Sequence, residues 1–260
     1  MVRGFTPGKV VSFALQNTAL TESIHPVFTQ FFMSSNSFSR AVIFDMDGLM
    51  IDTEPYYKRA LRLAAAEFGY NMEETFLFGL IGLSNIGCQR KIQDRFGPEF
   101  PMESYWARWP ELWREVAASE GIDKKPGIDE LHAYLSTHHV PMAIATSSIR
   151  PQAEFSLQAA EVDLEFSHIV TGDQVKNGKP APDIFLEAAR RLGVNPTDCI
   201  ALEDSENGIR AASAAGMKAI MVPDMKQPDD EVRQMAWQVV DDLFEARTFV
   251  ARLLGHEQTT

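Results

Sequence analysis

From residue 41 onward the chain alternates short, nearly unbroken apolar runs with longer segments whose apolar residues recur every three or four positions. The runs are AVIF (41–44), PMAIA (141–145), HIV (168–170), CIAL (199–202) and KAIMV (218–222). Strands covered on both faces read as continuous apolar runs rather than as alternation, and such strands belong to parallel sheets. Between them IDELHAYLSTHH, PQAEFSLQAAEV, PDIFLEAARRLG and ENGIRAASAAG carry helical spacing, the last three with Pro, Asn or Gly at an end. Strand and helix in alternation predict an α/β fold, a doubly wound, Rossmann-like parallel sheet with helices on both faces.

The first two runs are separated by roughly 95 residues, where a crossover needs about a dozen. The intervening stretch is helical throughout on pattern: PYYKRALRLAAAEFGY, SNIGCQRKIQDRFG and ESYWARWPELWREVAASEG, divided by Gly and Pro. An all-helical cap domain over 54–122 is therefore expected, inserted into a core domain made of 39–53 and 123–258, with linkers near 53 and 123. Residues 1–38 carry one acid, Glu22, and no legible periodicity. They lack a continuous apolar core with a small-residue cleavage site and are poor in arginine. A disordered extension, or sequence upstream of a start at Met33, is favoured over a targeting segment.

In open α/β sheets ligands sit beyond the carboxyl ends of the strands. Asp45 and Asp47 follow the first run, Thr146 and Ser147 the second, Glu203 and Asp204 the fourth, and Lys179 follows the third at some distance. An isolated acid at such a place is usually a solvated loop residue or a helix cap. Asp45, Asp47 and Asp204 at equivalent places on neighbouring strands instead suggest a hard cation with few oxygen ligands, Mg²⁺. FDMDGLMIDTE is not a calcium loop, because the sixth residue from Asp45 is Met50 and the twelfth Tyr56. GDQVKNGKP fails as a nucleotide phosphate loop, since Pro180 stands where Ser or Thr would be needed.

Charge and composition narrow the partners. The net charge of −12 repels nucleic-acid backbones and anionic membranes. No stretch approaches the roughly 18 consecutive apolar residues of a membrane span. Two distant cysteines, Cys88 and Cys199, suggest neither a disulfide framework nor a paired metal motif, so a cytoplasmic setting is expected. A monomer is the default.

The four segments FDMDGLMIDTE, IATSS, GKPAPDIF and LEDSENGIRAASAAGM resemble, in order, the four motifs of the haloacid dehalogenase superfamily, in the subfamily with a helical cap between the first two. The second acid, Asp47, marks the phosphotransferase branch, and the chain is similar to pseudouridine-5'-phosphate phosphatases and β-phosphoglucomutases. The resemblance implies Asp45 as nucleophile, forming an aspartyl phosphate, and Asp47 as general acid and then base. It further implies that Thr146 and the Ser147 backbone donate to the transferring oxygens, and that Lys179 supplies fixed charge. Asp204, the Asp45 side chain and the Asp47 carbonyl would hold Mg²⁺, with Glu203 at or beside the metal. Gly48 suits a tight turn next to the nucleophile.

The other candidates divide. Asp52 and Thr53 are read as stabilising the flap that leads to the cap. Glu54 either faces substrate or merely opens the first cap helix, and the two readings stand level. Trp106, Trp109 and Trp113 recur at three and four, which favours one buried helix face over an aromatic substrate box. His132, His138, His139 and His168 share no ligand spacing and are expected on helix surfaces or strand edges. GLIGLSNIG (79–87) resembles the family's cap loop that dips into the site, making Ser84 and Asn85 substrate candidates. Where β-phosphoglucomutase brings an arginine to the sugar's second phosphate, the matching residue here is Asn85. The expectation is a Mg²⁺-dependent phosphatase for a small phosphorylated metabolite, with a mutase as the alternative and a non-enzymatic binding protein disfavoured.

Overall fold

The computed structural model describes residues 39–80, 83 and 85–256. The expectations for residues 1–38 and for Ser84 lie outside the described residues. Six strands form one sheet there: β1 Ala41–Phe44, β2 Met142–Thr146, β3 His168–Thr171, β4 Cys199–Glu203, β5 Lys218–Met221 and β6 Gln238–Val239. The order is β3-β2-β1-β4-β5-β6, and each neighbouring pair is parallel.

The unbroken apolar run of β1 has a partner on each side. Val42 and Phe44 enter the apolar layer that holds Leu131 and Leu135 of α5 (Ile128–Thr137) and Val250 of α10 (Leu243–Leu253). Ala41 and Ile43 enter the opposite layer, with Phe185 of α7 (Asp183–Leu192) and Ile209 of α8 (Glu206–Ala214). All four β1 side chains are fully buried. Helices α6 (Arg150–Ala159) and α9 (Asp230–Met235) complete the covering.

Four helices lie between β1 and β2: α1 Glu54–Glu67, α2 Glu74–Phe78, α3 Asn85–Phe96 and α4 Met102–Glu120. They form the inserted helical cap. The chain enters and leaves it along paired backbone: Asp52 N donates to Asp123 O at 2.8 Å and Lys125 N to Met50 O at 2.9 Å. Cap packing is aromatic, with Tyr57 of α1 stacked on Trp113 of α4, ring centroids 5.1 Å apart.

Helix α4 keeps the span expected from the sequence, and two further elements, α2 and β6, were not expected. The helix α4 runs through Pro110, which leaves the Trp106 carbonyl without its usual donor four residues on. Packing of α4 against α1 holds the helix together across that gap. Helix α2 and strand β6, of five and two residues, are too short to show a period.

Because β1 is covered on both sides, Ile43→Ala and Phe44→Ala should each lower unfolding free energy by about 2–5 kcal/mol in urea titrations. A large loss from one and a negligible loss from the other would mean that one face of β1 is open.

Candidate active site

The parallel register sets Phe44 level with Ile144 on one side and Leu202 on the other, so the residues that follow all emerge at one sheet end. Asp45 N donates to Leu202 O at 2.9 Å, which fixes the backbone as the strand runs out. Here β1 lies between β2 and β4, and the chain order reverses, the place where such sheets open a crevice.

Lys179 lies buried between two acids. Its Nζ donates to Asp45 Oδ1 at 2.5 Å, to Glu203 Oε1 at 2.5 Å and to the Ala145 carbonyl at 3.1 Å. Burial pulls its pKa down, but Asp45 and Glu203 outweigh that and raise it, so it stays charged. The other oxygen of Glu203 accepts from Ser205 N and Ser205 Oγ, both at 2.9 Å. Ser205 also caps α8 by accepting from Gly208 N at 3.1 Å. A Cβ on Gly208 would fall 1.8 Å from the Glu203 carboxyl, so only glycine lets α8 start against this acid.

Carboxylate oxygens of Asp45, Glu203 and Asp204 lie within 4.8 Å of one another. Two buried acids and a half-buried third against one ammonium leave negative charge uncompensated. Burial, reinforced by Glu203 and opposed by Lys179, pushes Asp45 up to about 8. Burial and Glu203 raise Asp204 well above the carboxylate range. A cluster of hard oxygen donors short of positive charge fits a divalent cation such as Mg²⁺. Gly48, at φ +86°, turns the chain over this cluster, and a Cβ there would meet Asp204 Oδ2 at 2.4 Å. Glu203 is the counter-charge of Lys179 as well as a member of the cluster, with both oxygens already engaged.

The Asp47 side chain has different partners. Its Oδ2 accepts from Ser148 Oγ at 2.8 Å and from Thr146 Oγ1 at 3.3 Å, while the buried Oδ1 has no protein partner. Burial raises its pKa against the Ser148 hydrogen bond. Thr146 thus points its hydroxyl at Asp47 and also accepts from Ser148 N at 3.1 Å. Ser147 is exposed and lines the neighbouring cavity.

Two polar residues were missed by the sequence reading. Ser148 follows Thr146 and Ser147 directly, and Asp224 follows the fifth apolar run much as Asp45 follows the first. Asp224 Oδ1 accepts from Lys125 Nζ at 2.6 Å and its buried Oδ2 has no protein partner. The strand-end rule that selects Asp45 also selects Asp224.

On the cap side a cavity of about 440 Å³ opens between α1, α3, α4 and the loop after β2. Glu54 opens α1, as one of its two readings has it, and also lines this cavity. Burial, then Asp224, pushes its carboxyl up to about 7. Asn85 begins α3 and lines the same space. The tryptophans split: Trp113 is buried, whereas Trp106 and Trp109 line the cavity, because one helix face spans both the cap interior and the cavity wall. His132 is buried, not on a helix surface, with Nε2 2.8 Å from the Glu165 carbonyl. No helix of the described residues is long and apolar enough to cross a membrane.

The haloacid dehalogenase-like hydrolase family model matches residues 42–222. The chain belongs to this family. It is an enzyme of the phosphoric monoester hydrolase class. It is similar to a probable pseudouridine-5'-phosphatase of Drosophila melanogaster, 36% identical over 77% of this chain and 88% of the relative. A phosphorylated carbohydrates phosphatase of Thermotoga maritima is 34% identical over 69% of this chain and 83% of the relative. The crystal structure of β-phosphoglucomutase from Clostridium difficile superposes with a TM-score of 0.65 at 25% identity, over 84% of this chain and 97% of that one.

The raised Asp45 gives a signed pH dependence. An acid whose pKa rises from 3.8 unfolded to about 8 folded contributes stability that fades as pH climbs between those values. In chelator, melting temperature should therefore fall from about pH 5 to about pH 8 more steeply in the wild type than in Asp45→Asn. Equal slopes in thermal melts would contradict the raised value.

Proposed function

We propose that this hydrolase is a Mg²⁺-dependent phosphatase that cleaves a small phosphorylated metabolite through an aspartyl phosphate on Asp45. The observation that carries this reading is Lys179 bridging Asp45 and Glu203 at 2.5 Å, at the end of the strands where a phosphoryl group would enter. A carboxylate attacks a phosphate dianion only where positive charge screens the approach, and Lys179 is fixed to do so. Asp204, the Asp45 side chain and the Asp47 carbonyl would hold Mg²⁺, while Glu203 acts through Lys179 and Ser205. When bound, the ion supplies the remaining charge for the equatorial oxygens.

Asp45 attacks phosphorus in line and the alkoxide departs on the far side. Asp47 protonates that alkoxide, then takes the proton from the water that cleaves the acyl phosphate. With two hydroxyls donating to Oδ2, the transferable proton belongs on the unpartnered Oδ1. The same burial that raises its pKa keeps Asp47 able to hold that proton for the first step. The Ser147 backbone is the donor for the transferring oxygens, while Thr146 acts chiefly on Asp47. The cap, residues 54–122, closes on the core of 39–53 and 123–258 and carries Glu54 and Asn85 to the leaving group.

The candidate substrates are those expected from the sequence, a sugar phosphate or a nucleotide-like monophosphate, and the names of the curated relatives support both. A mutase of the β-phosphoglucomutase type is the second reading, favoured by the structural likeness. Against it stands the charge of the cavity wall. Among the lining residues Lys58 is the cation, and it is paired with Glu74 at 3.1 Å, while Asn85 is neutral and Glu54 acidic. Among the described residues of this wall, a second phosphate would meet no cation other than the paired Lys58. A cytoplasmic monomer without a nucleic-acid partner accords with the net charge of −12 and two unpaired cysteines.

Release of phosphate from a generic aryl phosphate should require Mg²⁺ and fall roughly a thousandfold or more in Asp45→Asn. Interconversion of sugar phosphate isomers without net phosphate release would replace the phosphatase with the mutase.

A further inference from the structure

The cap-side cavity has a division of labour that the phosphate chemistry does not require. One wall is an aromatic corner: Trp106 and Trp109 meet at 5.9 Å with their planes 67° apart, and Tyr57 lies 5.9 Å from Trp109. Leu77 and Leu80 face it from the cap, and the half-exposed Ile149 closes it from the core. Most polar groups on the lining are occupied by one another. Gln152 donates to the Tyr57 hydroxyl, Lys58 is paired with Glu74, and Ser148 donates to Asp47. Glu54, Asn85, Ser147 and the unpartnered indole N–H of Trp109 remain to meet a ligand.

A sugar phosphate without a ring substituent presents several hydroxyls to whatever surrounds it, and each one buried without a partner costs binding. This wall cannot supply that many partners. A flat unsaturated ring needs none on its faces and gains by stacking on indole and phenol rings. Ser148 belongs both to the cavity lining and to the Asp47 hydrogen bonds, so the ring's pocket and the reacting end are continuous. The volume of about 440 Å³ accommodates a ring together with its sugar.

We propose that the corner formed by Tyr57, Trp106 and Trp109 binds a planar heterocycle, which makes the substrate a ring-bearing monophosphate of the nucleoside 5'-phosphate class rather than a bare sugar phosphate. This rests on the phosphatase reading for its chemistry but not for its pocket. Trp106 and Trp109 act as specificity determinants by stacking, while Glu54 and Asn85 meet the polar edge of the ring or the ribose hydroxyls.

The test compares uridine 5'-phosphate with ribose 5-phosphate, which share the ester and the pentose and differ in the base. With the full-length protein and Mg²⁺, kcat/KM should favour uridine 5'-phosphate by roughly tenfold or more. Trp106→Ala should bring that ratio toward one and Trp106→Phe should keep most of it. Uridine alone should quench tryptophan fluorescence of the wild type and do so less in Trp106→Ala. Equal or better turnover of ribose 5-phosphate, or a ratio indifferent to Trp106→Ala, would overturn the proposal. If no ester releases phosphate, the phosphatase reading falls, and the uridine titration still decides the ring pocket: quenching upholds it and its absence overturns it.

Discussion

The ion pair that Lys179 makes with Asp45 and Glu203 is the constraint from which the rest of the site follows. Buried charges are tolerated only in company, and removing one partner of such a set costs about 3–5 kcal/mol. Each partner reaches the meeting point by a different route: Asp45 from the end of β1, Glu203 from the end of β4, and Lys179 from the loop before α7. The sheet order that puts β4 beside β1 is therefore an electrostatic requirement as well as a packing solution. Gly208 and Gly48 serve the same arrangement, one admitting Glu203 under the start of α8 and the other letting Asp204 approach β1. What the ammonium leaves uncompensated is the charge that makes the site receptive to a divalent cation and a phosphoryl dianion in turn.

The cap follows a different logic. Its helices hold together through aromatic contacts, notably Tyr57 on Trp113, and join the core through two linkers bound to each other at Asp52 and Asp123. Tyr57 belongs to both worlds. It packs inside the cap and its hydroxyl accepts from Gln152 of α6 in the core. The core fixes the phosphoryl end of any substrate, so selectivity falls to the wall that the cap contributes.

Much of this was legible in the chain. Parallel strands buried on both faces write themselves as unbroken apolar runs, and a run ends where the sheet ends, which is why Asp45, Thr146, Glu203 and Asp204 stood out. Lys179 depended on the motif resemblance, since it follows its strand at a distance that spacing alone does not interpret. Ser148 escaped because nothing in the order Thr146, Ser147, Ser148 tells which hydroxyl turns toward Asp47. Asp224 could have been found by extending the strand-end rule to the fifth run. The tryptophans show the limit of periodicity: spacings of three and four place Trp106, Trp109 and Trp113 on one side of a helix without saying what lies opposite. Trp113 meets the cap interior, and the other two meet a cavity.

The charge balance around Lys179 is open to direct measurement by calorimetric titration of Mg²⁺ at about pH 6.5, in two buffers of different ionisation enthalpy. Since Asp45 stands at about 8 without a metal and Asp204 is raised as well, binding should expel protons, and the measured heat should change with the buffer in the wild type and less so in Asp45→Asn, where Asp204 still releases its own. Mg²⁺ binding with a heat that is the same in both buffers, or no binding at all, would contradict the account.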